Sequence, residues 1–163
     1  MNIVNSNEFH TVRGYQLLEQ NRNKLTSSME DYLEMIYRNS LEDGYIRIHL
    51  LAELLHVKAA SASRMVQKLG AIGLLNYKKY GIIILTENGK KIGEYLLERH
   101  HIIENFLRLM SCEDNLLEQT ELMEHTITPQ TVHKINILIN FFDINKNIAD
   151  NFKEYQKKRL TTQ

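Results

Sequence analysis

Leu75-Asn-Tyr-Lys-Lys-Tyr-Gly-Ile-Ile-Ile-Leu85 is the stretch of sequence that decides the fold class of this chain. Two strand-like runs, 75–79 and 82–85, flank the dipeptide Tyr80-Gly81, and such an arrangement is typical of a β-hairpin. Two lysines and a tyrosine stand where the chain would reverse direction. The sequence therefore predicts a hairpin with a basic, aromatic tip.

Two short helices, 50–55 and 59–71, are predicted just before this hairpin, with a tight turn at His56-Val57-Lys58 between them. The apolar residues expected to be buried are Leu51, Leu54 and Leu55 in the first helix and Met65, Val66 and Leu69 in the second. Two short helices joined by a tight turn form a helix-turn-helix. An ordinary helical hairpin has the same pattern, but a helix-turn-helix followed at once by a β-hairpin is a winged helix.

The second helix and the hairpin carry residues that suit nucleic acid. Small residues at the start of the helix permit close approach to a groove, and the long basic side chains can reach bases or phosphates. The predicted DNA-contacting residues are Ser61, Ser63, Arg64, Gln67 and Lys68 on the helix and Lys78, Lys79 and Tyr80 on the wing. We expect the wing to lie at the phosphate backbone or the minor groove of double-stranded DNA.

The net charge of zero conceals two oppositely charged segments. Residues 44–91 contain eight Lys and Arg against two Asp and Glu, whereas residues 92–126 contain two against eight. A basic segment followed by an acidic one indicates a polyanionic partner for the first and a cation for the second. Two solvated faces of opposite sign could also arise by coincidence.

The length of 163 residues suits one or two small domains. No run of about 18 apolar residues occurs, so no membrane span is expected. Residues 1–10 lack the basic start and apolar core of a signal peptide. The single cysteine, Cys112, cannot form an internal disulfide. We therefore expect a cytoplasmic protein with no membrane partner.

The second half of the chain is predicted to be entirely helical. A long helix over 87–110 is followed by one over 113–126 and by another that begins at Thr128-Pro129, because proline is favoured at the first position. The apolar residues of this third helix cover more than one stripe, which favours burial on two sides and a self-complementary dimer interface. Asn145 to Lys158 predicts a polar final helix.

Glu121, Glu124 and His125 stand at positions i, i+3 and i+4, which places their side chains on one face of a helix. Neighbouring carboxylates repel each other, so a compensating cation is expected, and a divalent metal is the natural candidate. A solvated acidic face with an incidental histidine would have the same pattern.

A second pair of carboxylates favours the metal interpretation. Asp31 and Glu34 also stand at i and i+3, in a helix that is predicted to begin with Ser27 or Ser28 as its cap. Acids are favourable near the positive end of a helix even without a metal, which explains Asp31 better than Glu34. A lone His100 lies in the long helix, where a histidine is usually a satisfied, half-buried residue.

Several separate motifs occur along the chain: Ser28-Met-Glu-Asp-Tyr-Leu-Glu-Met-Ile-Tyr37, Met65-Val-Gln-Lys-Leu69, Leu85-Thr with Gly89-Lys-Lys-Ile-Gly93, Arg99-His100 and Glu121-x-x-Glu124-His125. In this order they resemble the diphtheria toxin repressor family, and within it the manganese transport regulators. The resemblance implies a homodimeric, metal-activated repressor of metal-uptake genes that binds operator DNA and is not an enzyme. The fold expected is mainly α, with an N-terminal winged helix-turn-helix and its two-stranded wing, followed by an all-helical dimerisation domain.

The resemblance also implies a set of metal ligands, which are Asp31, Glu34, His100, Glu121, Glu124 and His125. The iron-responsive branch has a Met at the position of Asp31 and a Cys at that of Glu121, so this chain resembles the manganese type. In that branch the ligands hold two neighbouring ions. We therefore expect two Mn²⁺ per subunit, with Fe²⁺, Cd²⁺ and Zn²⁺ as candidate substitutes.

Three domains are expected: an N-terminal arm over 1–26, in which 10–20 could form a short helix; a winged-helix DNA-binding domain over 27–91; and a helical metal-binding and dimerisation domain over 92–163. Three other functions stay open. A metal-dependent hydrolase could use the same carboxylates and histidines, but it leaves the basic winged helix unexplained. The others are an iron-responsive repressor of the same family and a winged-helix regulator that senses an organic ligand.

Overall fold

The structure, a computed structural model, describes residues 14–20 and 24–160. Predictions for the remaining residues, which include most of the proposed N-terminal arm, lie outside the described part. Contacts divide the chain into two compact units, residues 1–98 and residues 99–163. The domain boundary expected after residue 91 stays a prediction.

The first unit combines helices with one small sheet. Its helices are α1 (14–20), α2 (Ser27–Asn39), α3 (Ile48–Leu54), α4 (Ala59–Ala71) and the first part of α5 (Glu87–Leu109). Its strands are β1 (Ile46–Arg47), β2 (Leu75–Lys78) and β3 (Ile82–Leu85), which form an antiparallel sheet in the order β1-β3-β2. This arrangement is the predicted winged helix-turn-helix.

The wing has one strand more than the sequence predicted. β2 and β3 form the expected hairpin, in which Leu75 pairs with Leu85 and Lys78 with Ile82. The chain reverses through Tyr80 and Gly81, whose φ angles of 63° and 72° lie in the left-handed region. β1 adds to the free edge of β3, so Ile83 is paired on both sides and fully buried.

Threonine side chains cap the first turns of α5 and α2. The Thr86 hydroxyl accepts a hydrogen bond from the Gly89 backbone N–H at 3.1 Å and so caps the start of α5. The prediction of Ser27 or Ser28 as the cap of α2 was wrong, because Thr26 caps this helix by accepting from the Met29 N–H. A threonine hydroxyl serves this role as a serine does.

The core of the first unit is formed by the inner faces of its helices and sheet. Its fully buried side chains include Leu33, Ile36, Leu51, Val66, Leu69, Leu74, Ile83, Ile92 and Leu96. The expectation that Leu54 is buried was wrong, because α3 has only seven residues and Leu54 lies at its exposed end. Leu55 and Met65 are half-buried rather than fully enclosed.

Helix α1 lies outside the predicted winged helix but packs on the first unit. Leu18 is buried, and the rings of Tyr15 and Tyr95 lie 6.1 Å apart between centroids. A Cβ added at Gly14 would clash with the Lys91 carbonyl oxygen, so only glycine allows the two backbones to approach this closely. α1 therefore belongs to the folded core of this unit.

All regular secondary structure among the described residues of the second unit is helical. This unit contains the rest of α5, then α6 (Leu116–Glu124), α7 (Pro129–Ile144) and α8 (Lys146–Leu160). Ile103, Leu107 and Val132 form a small buried cluster. Several large apolar side chains of α7 are exposed in the single chain: Ile137, Leu138, Phe141 and Ile144. No described helix is long and apolar enough to cross a bilayer.

Candidate metal centre and DNA-binding surface

The candidate metal centre of the second unit is built around Glu124, the last residue of α6. Its Oε2 atom lies 3.0 Å from Nδ1 of His100 on α5, and the two side chains are only 3% and 9% exposed. Its Oε1 atom lies 3.8 Å from Nε2 of His125, the residue that caps α6. One buried carboxylate therefore lies between two imidazoles.

Glu121 lies one turn before Glu124 on α6 but is exposed. Residues three apart on a helix are separated by about 60° around its axis, so one can face inward while the other stays at the edge. Within the second unit, the structure thus brings His100, Glu124 and His125 together and leaves Glu121 at the surface. Glu121 remains a predicted ligand on the sequence argument.

The other two predicted ligands belong to α2 in the first unit. Asp31 and Glu34 stand one turn apart on this helix, and Glu34 is buried. Nη2 of Arg38 donates a hydrogen bond to Oε1 of Glu34 at 2.6 Å. A Glu followed by an Arg four residues later on a helix is a favourable pair, so the spacing of Glu34 and Arg38 was a signal for this contact that went unused.

A further acid, Glu104, lies one turn beyond His100 on α5. The hydrogen bond from the Arg108 side chain, at 2.7 Å, lowers the pKa of this carboxyl group although its burial acts in the opposite direction. Arg108, one turn further along the same helix, therefore favours the ionised form of the Glu104 carboxyl group. The neighbouring His101, which the sequence argument left out of the ligand set, is exposed.

The predicted DNA-binding residues lie on the solvent side of the winged helix. α4 buries Ala62, Val66 and Leu69 toward the core. Its opposite face exposes Ser61, Arg64, Gln67 and Lys68, and the wing exposes Lys78, Lys79 and Tyr80. Tyr80 is 87% exposed at the wing tip. Basic and hydrogen-bonding side chains are thus presented together.

Ser63 differs from the other predicted DNA-binding residues, since it is half-buried. Its Oγ atom lies 3.3 Å from the hydroxyl oxygen of Tyr77 on β2, within hydrogen-bonding distance. The bond joins α4, which we call the recognition helix because it carries most of the predicted DNA-binding residues, to the wing. No local pattern in the sequence indicates this contact, because the two residues meet only when the hairpin folds back onto α4.

Comparison with known proteins now identifies the family. Residues 24–83 match the iron dependent repressor N-terminal DNA binding domain, and residues 86–151 match the iron dependent repressor metal binding and dimerisation domain. The chain belongs to the diphtheria toxin repressor family. Helix α1 lies before both matched regions.

Similar proteins place the chain within this family. It is 40% identical over 138 residues to the HTH-type transcriptional regulator MntR of Bacillus pumilus (strain SAFR-032), which covers 84% of this chain and 96% of the relative. The MntR of Bacillus subtilis (strain 168) is 39% identical over 134 residues, or 82% of this chain and 94% of the relative. The family member described here thus belongs to the manganese transport regulator branch, whose proteins are named as transcriptional regulators rather than enzymes.

Solved structures agree with this assignment. The manganese regulator SloR has a TM-score of 0.63 and 32% sequence identity over 72% of this chain. The metal-dependent transcriptional regulator MtsR has a TM-score of 0.63 and 27% identity over the same share of this chain. The chain spans 55% of the length of each of these two structures.

Proposed function

We propose that this protein is a manganese-responsive repressor, which binds operator DNA as a homodimer when its metal centre is loaded. The observation that carries the proposal is the buried carboxylate of Glu124 between His100 and His125. This centre belongs to a chain whose other unit presents a basic recognition helix and wing.

The donor set fits a divalent cation. A carboxylate that is 3% exposed is costly to keep ionised unless a positive group compensates it. Carboxylate oxygens and imidazole nitrogens, without a thiolate, form a hard donor set that suits Mn²⁺. Because Zn²⁺ and Cu²⁺ bind such donors more tightly, selectivity for Mn²⁺ must come from geometry, ligand number and metal availability. We propose Asp31, Glu34, His100, Glu121, Glu124 and His125 as the ligands of two Mn²⁺ per subunit. Fe²⁺, Cd²⁺ and Zn²⁺ are the proposed substitutes.

The proposed mechanism assigns a separate task to each unit. Asp31 and Glu34 lie on a helix of the DNA-reading unit, whereas the other four ligands lie in the second unit. In this mechanism, loading the ligands with metal couples DNA binding by the first unit to metal binding by the second. Arg64 and Lys68 of each subunit then meet successive major-groove faces, which lie about 34 Å apart on B-DNA.

In the metal-free protein, the same carboxylates repel one another, and this repulsion should broaden the range of spacings between the recognition helices. Allosteric coupling free energies are typically about 1–3 kcal/mol, and we expect a coupling of this size between metal and DNA binding. By thermodynamic reciprocity, operator DNA should tighten Mn²⁺ binding by the same factor.

The proposed dimer would bury the apolar surface of α7. Ile137, Phe141 and Ile144 recur at intervals of three to four residues and are exposed in the single chain. Exposed apolar stripes of this kind commonly mark interfaces between proteins. Their position in a region that matches a dimerisation domain supports a two-fold dimer.

The experiment that tests this function measures DNA binding against metal concentration. Purified protein would be titrated onto a fluorescent duplex from upstream of its own gene, with Mn²⁺, with Fe²⁺ under anaerobic conditions, or with a chelator. We expect binding with Mn²⁺ and its loss on chelation. Equal affinity with the chelator would refute the proposal, and activation by Fe²⁺ alone would assign the protein to iron sensing.

A further inference from the structure

Glu34 is a proposed metal ligand that already holds a cation of the protein itself. Nη2 of Arg38 lies 2.6 Å from its Oε1 atom, one turn further along α2. The Glu34 side chain is 11% exposed, whereas that of Arg38 is 40% exposed. The carboxylate is therefore largely removed from water, and the guanidinium approaches it from the solvent side.

Burial makes this ion pair different from ordinary helix-surface pairs. Glu104 and Arg108 form a pair of the same spacing at 2.7 Å, but their side chains are 28% and 55% exposed. Water screens such exposed pairs, so they contribute little to the stability of the folded protein. A nearly buried carboxylate depends much more on its positive neighbour, because water is not there to solvate it.

A divalent ion and the guanidinium would compete for the same carboxylate. Both need oxygen lone pairs of Glu34, and two positive groups on one carboxylate repel each other. When a metal ion displaces it, the Arg38 side chain can move to the carbonyl end of α2, because Arg38 lies in the last turn of this helix. Cations are favoured near the carbonyl end of a helix, and a long, partly exposed side chain can reach that position.

We propose that Arg38 acts as an internal cation, which holds Glu34 in the metal-free protein and competes with the metal for it. Arg38 is a positioning residue rather than a ligand. Its strength as a competitor sets the Mn²⁺ concentration at which the protein responds. This inference rests on the proposed function, because it assumes that Glu34 binds the metal.

The test uses the full chain without DNA and MnCl₂ as the probe. Free Mn²⁺ would be followed by its electron paramagnetic resonance signal and binding by calorimetry, for the wild type and for Arg38→Gln. We expect Arg38→Gln to bind Mn²⁺ more tightly by roughly three- to tenfold, as expected for loss of a partly buried competing charge. Arg38→Lys keeps the charge without the planar fork, so its affinity should rise less.

Thermal unfolding supplies a second readout that does not depend on ligand affinity. With a chelator, Arg38→Gln should unfold at a lower temperature than the wild type, because Glu34 loses its cation. Saturating Mn²⁺ should remove this difference. The increase in melting temperature on adding Mn²⁺ should therefore be larger in Arg38→Gln than in the wild type.

Lys90→Gln is the matched control. Lys90 lies in the first unit and pairs with Glu87 at 3.0 Å, with both side chains well exposed. The substitution removes one positive charge but should leave Mn²⁺ affinity unchanged. If both Arg38 variants bound Mn²⁺ no more tightly than the wild type, this inference would be overturned while the proposed function would stand. A wild type that binds no Mn²⁺ would overturn the proposed function and this inference with it.

Discussion

Nδ1 of His100 lies 3.0 Å from Oε2 of Glu124, which joins the middle of α5 to the end of α6 through two nearly buried side chains. Neither residue is close to the other in sequence. The pair brings a donor from each of two helices to one point, and its chemistry is the basis of the metal proposal.

Glu124→Ala should raise the Mn²⁺ concentration needed for half-maximal DNA binding by more than about tenfold, since even indirect partners of a metal site are worth that factor. The helical circular dichroism should stay unchanged. Fluorescence anisotropy with labelled operator measures the effect. Glu118→Ala, an exposed acid on the same helix, is the control. An unchanged Mn²⁺ requirement in Glu124→Ala would remove Glu124 from the ligand set.

Arg64→Ala and Lys68→Ala should weaken DNA binding at saturating Mn²⁺, since both side chains are exposed on the proposed reading face of α4. Loss of a base contact weakens the binding free energy by about 1–3 kcal/mol. Loss of a phosphate contact reduces the slope of log binding constant against log salt concentration by about one. Binding measured over a series of salt concentrations separates the two cases. Lys153→Ala on α8 is the control, and Mn²⁺ affinity without DNA should be unaffected throughout.

Tyr77→Phe tests the link between the recognition helix and the wing. The substitution removes the hydroxyl that lies 3.3 Å from Ser63 Oγ but keeps the ring. Such a hydrogen bond contributes about 0.5–1.5 kcal/mol to the stability of the folded state. Without it the wing is held less firmly against α4, so operator binding should weaken. In a double-mutant cycle with Ser63→Ala, the loss of operator-binding free energy in the double variant should be smaller than the sum of the two single losses. Full additivity would show that the residues act independently.

Leu18→Ala tests whether α1 stabilises the first unit. Leu18 is 8% exposed, and shortening a buried leucine typically costs about 2–5 kcal/mol. The melting temperature of the metal-free protein should fall by several degrees. Gln16→Ala, at an exposed position on the same helix, should leave it unchanged. Equal melting temperatures for the two variants would contradict the packing of α1.

Ile137→Glu tests the proposed dimer. The side chain is 54% exposed in the single chain, so the subunit should still fold. A charge in an apolar interface is costly, and light scattering should show a monomer. The monomer should lose operator binding even with Mn²⁺, because paired half-sites need both recognition helices. A stable dimer in this variant would place the interface elsewhere.

Much of the first unit was predictable because its signals are local. The structure reproduces the predicted bounds of α4, 59–71, and confirms the hairpin around Tyr80-Gly81. Hydrophobic spacing and turn residues act over a few neighbours, so they can be read without the fold. Helix ends were less accurate: α6 runs from Leu116 to Glu124 rather than over 113–126.

Contacts between distant residues could not be predicted in the same way. The addition of β1 to β3 and the bond between Ser63 and Tyr77 both depend on how separate elements pack. The difference in burial between Glu121 and Glu124 has the same origin. Periodicity places both acids on one face of a helix, but only packing determines which one is enclosed.

By itself, the sequence determined the order of the elements and the winged helix, because these follow from local periodicity and turn chemistry. The proposed ligand set rests on the resemblance to the family. Only the tertiary structure decided that Glu124 lies buried between His100 and His125, and that α1 is part of the core. The physical reason is that burial and long-range hydrogen bonds are properties of packed elements, which no single segment specifies alone.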